Sequence, residues 1–333
     1  MCRSNETLPD SVRSLIEAVE EHDHLTPSRA KQLLLESDIT TEDLAAWADF
    51  EHPACDSYGR KLVYDGGFFE LMVMSWVDGD MAAIHDHGYT QWGAVKLFGN
   101  VEHAIFRRDG DRLVTAERRM FEPGSVVAVA HDMIHQMGNV GQPNYLTLHL
   151  YGSYERDGDV TADARLYSLD EGKIQITSGG VFFGLPEDCI SERRLAPETD
   201  FPTLLRDRVE LLCRSLRTRG AYDQPSLETP CEQRLTEWLF DSDTWIAAAA
   251  EIEALADSPR AEHSLDILHQ ELRAAGRLQL RLIDAGVASG PLADRRDEIA
   301  EALAQDSLAG LGASYLKVVG TAHGIDFPLA QAA

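Results

Sequence analysis

Apolar residues recur along this chain with two different periods. After about Pro197 the spacing is helical, with Leu205, Val209, Leu212 and Leu216 on one face and Leu265, Leu268, Leu272 and Ala275 on another. This predicts an all-helical region over 195–333, with a loop or hinge over 220–230 where Gly220, Pro225 and Pro230 cluster. Between residues 60 and 183 the texture is different. Short β-rich runs at 71–77, 126–129 and 145–151 are separated by Gly66-Gly67, Gly99-Asn100, Asp109-Gly110 and Gly179-Gly180, which suit chain reversals. That pattern predicts an antiparallel barrel or sandwich over 56–190. Residues 1–55 read as helical: Thr26 can cap a helix with Pro27 at its first position, and Leu44, Trp47 and Ala48 follow helical spacing behind Thr40 and Thr41. No internal repeat interrupts this order.

The chain has 333 residues and 44% hydrophobic content, enough to bury full cores. Cys2, Cys55, Cys189, Cys213 and Cys231 are odd in number and lack C-x-x-C spacing, and the N-terminus does not read as a signal peptide, so a reducing cytoplasm is the expected location. Glu251 and Glu253 interrupt even the alanine-rich stretch after Trp245, which argues against a membrane span. A formal charge of -26 repels phosphate backbones and anionic lipid, so nucleic acid and membranes are not expected partners. The expected partner is a small molecule.

Histidines carry the chemistry. In Ile84-His85-Asp86-His87, two imidazoles two apart on an extended segment point the same way. His135 is a third candidate ligand if a barrel brings distant strands together. Gly79, His85, His87 and Gly99 follow the first motif of the cupin superfamily, and Gly124, His135 and Asn139 follow the second. The carboxylate that many cupins place between His87 and Gly99 is absent, with Trp92 in its slot, and Ala130 and Asp132 stand for the usual Pro and Gly. A three-histidine site adds no charge and leaves up to three positions open on an octahedral ion; it suits iron, and also nickel, copper or zinc. His131 and His103 are read as structural, Cys55 as a small buried residue, and His263 and His269 as too poorly spaced for one site. Thr147, His149 and Tyr151 share one strand face and Leu146, Leu148 and Leu150 the other.

Several segments together resemble cysteine dioxygenase, the thiol dioxygenase branch of the cupins, over roughly 58–183. They are Tyr58-Gly59-Arg60, Leu71-Met72 leading to Trp76, His85-Asp86-His87 with Lys96 and Gly99-Asn100, His135, Thr147 to Tyr151, and Leu166 through Gly172 to Val181-Phe182-Phe183. The resemblance implies a mainly β jelly-roll barrel holding Fe(II) on His85, His87 and His135, with O2 as co-substrate. It implies L-cysteine oxidised to a sulfinic acid, its carboxylate bound by Arg60 with Tyr58. Thr147, His149 and Tyr151 would replace a Ser-His-Tyr relay. Trp92 matches the position of the cysteine that is cross-linked to tyrosine in animal enzymes, which places it at the substrate, and Gly152-Ser153 stands for a Pro-containing turn. Two alternatives stay open: a specialised-metabolism oxygenase giving another S-oxidised product such as a sulfonamide, and a non-catalytic cupin binding module. The C-terminal helices have no readable role, though they are where a homodimer contact is expected.

Overall fold

The computed structural model describes residues 8–22, 24–53, 56–139, 141–154, 160–178, 180–182, 185–257 and 259–331. Cys2, Cys55, Gly179 and Phe183 lie outside them. By contacts the chain divides into two compact units, residues 1–105 with 119–196, and residues 106–118 with 197–333.

The first unit begins with α1 (Asp10–Glu20) and α2 (Pro27–Glu36). Thr26 caps α2 as its sequence predicts, accepting from the Arg29 N–H at 3.2 Å, with Pro27 in the first turn. The helix expected behind Thr40 and Thr41 is only a 3-10 turn, Ala45–Trp47, and Ala48 is already extended. Two contacts explain the shortfall. The Asp43 carboxylate accepts from the Thr40 N–H and hydroxyl, favouring a local turn over a helix. The Asp49 N–H then donates to Ser75 Oγ at 2.8 Å, committing the chain to the sheet.

The strands are β1 (Gly59–Asp65), β2 (Phe69–Trp76), β3 (Ile84–His85), β4 (Trp92–Leu97), β5 (Val101–Asp109), β6 (Arg112–Phe121), β7 (Val126–Ala130), β8 (Ile134–Gly138), β9 (Tyr145–Gly152), β10 (Ala164–Ser168), β11 (Lys173–Thr177), β12 (Ile190–Leu195) and β13 (Glu198–Thr199). One antiparallel sheet runs β1-β2-β9-β4-β7; the other runs β12-β11-β10-β3-β8-β5-β6. Alternation sorts the side chains of the first sheet. Leu71, Val73, Ala94, Leu146, Leu148 and Leu150 join Val12, Leu15, Leu33 and Leu34 of the two helices. Met72, Met74, Trp76, Val95, Leu97 and Tyr151 turn the other way, to meet Val101, Met137 and Ala164 of the second sheet. Each fully buried leucine or methionine here contributes about 1.5–3 kcal/mol. Two antiparallel sheets closed over a shared apolar interior form the jelly-roll barrel of a cupin.

Both faces of β9 are therefore buried, and the face carrying Thr147, His149 and Tyr151 looks inward. At the turn after β4, Gly99 is required for space: a Cβ there would lie 2.4 Å from the Tyr145 side chain.

The second unit contains α3 (Phe201–Thr218), α4 (Pro230–Phe240), α5 (Ser242–Ala256), α6 (Ala261–Asp284), α7 (Arg296–Leu303) and α8 (Leu308–His323). Leu205, Val209, Leu212 and Leu216 of α3 pack with Leu268, Leu272 and Ala275 of α6, as their spacing predicts. Pro230, expected in the loop, instead opens α4 behind a Thr229–Glu232 capping box. Residues 106–118 supply strand to this unit: Glu198 and Thr199 of β13 pair in parallel with Arg112 and Leu113 of β6. Arg118 and Arg206 meet Glu210 and Glu271 in an ion cluster, with Arg206 and Glu271 almost fully buried. No helix among the described residues is long and apolar enough to cross a membrane.

Candidate metal centre and active site

The pairing of β3 with β8 sets His85 directly opposite His135. Their rings sit 4.5 Å apart, and the two Nε2 atoms approach to 3.1 Å. His87, just past the end of β3, brings its ring 5.2 Å from His85 and 4.7 Å from His135. One nitrogen from each residue lies within 4.8 Å of the others, and the cluster contains no carboxylate.

Whether these nitrogens fit a metal is decided by where their protons are. His85 Nδ1–H donates to Ala83 O at 2.8 Å, which leaves its Nε2 with a lone pair. Nδ1 of His135 is 2.8 Å from Nε2 of His103, so His135 also presents Nε2 inward. His87 Nε2 meets no hydrogen-bond partner among the described residues. Burial holds all three rings neutral, pushing His87 and His135 well below the ordinary imidazole range. Nitrogens this close either share a proton or jointly hold a cation, and a divalent ion can take the lone pairs of all three neutral rings at once. The donor set fits a metal ion. Asp86 holds the approach in place: its Oδ1 accepts from the N–H groups of Gly88 and Arg165, and its Oδ2 from the Arg165 guanidinium at 3.3 Å.

A small, partly enclosed cavity opens onto the three histidines. Tyr58, Arg60, His149 and Tyr151 line it, as do Met72, Met74 and Met137. Arg60 on β1 donates through Nε and Nη2 to Met72 Sδ at 3.3 and 3.2 Å, and through Nη2 to Thr161 Oγ1 at 3.2 Å. Tyr58 stacks on Trp76 at 4.8 Å and meets the tilted ring of Phe182 at 4.9 Å; burial pushes its phenol up to about 12.

On β9 the three relay candidates are joined. Thr147 Oγ1 is 2.7 Å from His149 Nε2, and His149 Nδ1 is 2.8 Å from the Tyr151 hydroxyl. Burial, with the Arg60 charge nearby, lowers His149 to about 3, and burial raises Tyr151, so both are neutral. Trp76 Nε1–H donates to Thr147 Oγ1 at 3.0 Å. An indole cannot accept, so the threonine hydroxyl has only His149 Nε2 to donate to among the described residues. His149 Nδ1–H then donates to the Tyr151 oxygen, which leaves the phenol O–H for the cavity.

Trp92, expected at the substrate, does not line the cavity. It is 1% exposed, belongs to the core shared with α1 and α2, and lies over Gly152, where a Cβ would come within 2.0 Å of the indole. The inward residue is its neighbour Gly93, paired with Tyr151, where a Cβ would lie 2.6 Å from Tyr151 Cδ1. Motif spacing misplaces the position by one residue, and on a strand one residue reverses the face. The alternation of Gly93, Val95 and Leu97 against Trp92, Ala94 and Lys96 is the signal that could have found it. Trp92 accordingly gives no support to an altered pocket. Met72, Thr161 and Trp76's donor role carry no sequence signal of their own. His131 is outside the cluster, with Nδ1 3.0 Å from Thr90 O; His263 Nε2 meets Ala116 O in the second unit.

Residues 3–154 match the family described as Cysteine dioxygenase type I. The match takes in the N-terminal helices, which the likeness in sequence motifs did not, and includes His85, His87, His135 and the β9 relay. Over 153 residues the chain is 28% identical to cysteine dioxygenase type 1 of Rattus norvegicus and of Mus musculus, covering 44% of this chain and 74% of each relative. Among solved structures, an uncharacterized conserved protein with a double-stranded beta-helix domain from Klebsiella pneumoniae is 13% identical, covering 36% of this chain and 94% of that one at a TM-score of 0.27. The Schizosaccharomyces pombe Cnp3 cupin domain is 10% identical, covering 29% and 65% at a TM-score of 0.25. The fold rests on the strand order described above.

Proposed function

With residues 3–154 matching the cysteine dioxygenase type I family, we propose that this chain is an iron-dependent thiol oxygenase that converts L-cysteine and O2 to cysteine sulfinic acid. The observation that carries the reading is one cavity in which three neutral, metal-competent imidazoles face a guanidinium and a phenol. The reaction balances without an outside reductant: the thiol S–H and the O–O bonds break, two S–O bonds form, the thiol proton ends on a sulfinate oxygen or in solvent, and sulfur loses the four electrons that O2 gains. His85, His87 and His135 would hold iron(II), which would supply the redox coupling between thiol and O2.

The protein's own groups do the rest. Arg60 pairs with the substrate carboxylate, its fork held by Met72 and Thr161, and Tyr58 stands beside it. Tyr151 directs its O–H at the reacting end, fixed by His149 and, through Thr147, by Trp76. Met74, Met137 and Val181 give the cavity apolar walls that limit water.

Mass spectrometry of the product from L-cysteine and isotopically labelled O2, using iron-loaded protein, tests this. Cysteine sulfinate carrying two labelled oxygens supports the reading; a different sulfur product, or unreacted cysteine, overturns it. Arg60→Ala should raise KM for L-cysteine about 10- to 100-fold while leaving a thiol without a carboxylate little changed. Unaltered cysteine kinetics in that variant would reject the pose.

A further inference from the structure

A histidine that binds a metal through Nε2 must keep its proton on Nδ1, and something must accept that proton for the ring to hold its angle. His85 has a backbone acceptor, Ala83 O. At Nδ1 of His135 the neighbouring group is a side chain, His103, on β5, beside β8 in the second sheet. The two strands set the rings 5.0 Å apart, with His103 Nε2 at 2.8 Å from His135 Nδ1. Both residues are almost fully buried, 1% and 2% exposed, so no bulk water competes for that proton. His103 also lies edge-on to Phe121 at 5.6 Å, which restricts its own rotation. Its Nε2 is committed to His135 and is not one of the converging ligand atoms.

We propose that His103 is a positioning residue for the metal centre: it accepts the Nδ1–H of His135, and so fixes His135 in the tautomer and orientation that present Nε2 to the ion. The inference rests on the metal reading of the proposed site and needs no statement about the substrate. It also gives the centre a particular character. The groups at both orienting contacts, the Ala83 carbonyl on His85 and the His103 ring on His135, are not carboxylates.

The test uses the full chain and zinc(II), which is diamagnetic, in competition with a chromogenic chelator. His103→Phe keeps a ring in the space and removes the acceptor; it should weaken zinc binding about 10- to 100-fold. His103→Gln, whose amide oxygen can accept the same proton, should recover a substantial part of that loss. A structural filler would behave the opposite way, with Phe tolerated and Gln the worse of the two. Equal zinc affinity in parent and His103→Phe, or no recovery with Gln, overturns the proposal.

If His103→Phe does not fold, long-range proton–nitrogen correlation on the zinc-loaded parent with labelled histidine decides instead. His135 should show a protonated Nδ1 and a metal-shifted Nε2; metal at Nδ1 overturns the proposal. A parent that binds neither zinc(II) nor iron(II) overturns it together with the metal centre. If the affinity pattern holds and cysteine is not oxidised, the substrate reading fails and this one stands.

Discussion

Two buried polar clusters, one in each unit, are built in opposite ways. In the helical unit, Arg206 and Glu271 are nearly sealed from water, and each ends on an opposite charge: Arg206 on Glu210 at 3.0 Å, and Glu271 on Arg118 and Arg206. In the barrel, His85, His87, His135, His149 and Tyr151 are equally buried but uncharged, and they converge on a cavity. Polar groups that end on one another hold structure together; polar groups that end on open space are arranged for something that enters it. The contrast marks the site without reference to any relative, and it sorts substitutions by what they should affect.

The largest effect is expected from His87→Ala, which removes a ligand that has no structural bond at Nε2. Metal content should fall to background and turnover should vanish, while urea unfolding of the metal-free protein changes little; retained stoichiometric metal would break the comparison. Glu271→Gln is the counterpart in the helical unit. It leaves buried guanidinium charge undercompensated and should cost about 3 kcal/mol of stability in urea unfolding, with metal affinity unchanged. Gly93→Ala comes next, since its methyl must displace the Tyr151 ring and press on the Leu150 carbonyl of β9; turnover should fall about tenfold with metal content intact. Trp92→Phe, one residue away but on the other face, should leave KM and turnover for cysteine as they are and cost about 1–3 kcal/mol of packing. A kinetic effect of Trp92→Phe matching that of Gly93→Ala would show that facing inward is not what matters.

The sequence makes some of this legible and hides the rest for definite reasons. The helical period of α3 and the alternation on β9 are visible because each buries a regular set of apolar side chains. That the Thr147 face looks inward is not visible, because the same alternation describes a strand with one face in water; only the covering helices α1 and α2 remove that option. The His85 and His87 spacing is visible, yet His87 already lies beyond the two-residue strand, so the convergence depends on the turn stabilised by Asp86 as much as on alternation. His103 belongs to no motif and reaches His135 only through the order of strands in the sheet. The short turn at 45–47 is hidden for a local reason: helical spacing says nothing of an Asp43 carboxylate that prefers the backbone beside it.

Residues 106–118 leave the first unit in mid-strand and belong to the second, and the chain then resumes the first before passing into the helices. The two units are thus woven along the polypeptide and do not follow one another like beads. A ribosome delivers residues 106–118 long before the helices that they pack with exist, so the partners of Arg112 and Arg118 arrive late in synthesis. Ending the chain after residue 196 would strand those arginines and the Leu113 strand without their counterparts. Residues 106–118 are thus a piece of the second unit written into the middle of the first, and any experiment that shortens this chain has to reckon with them.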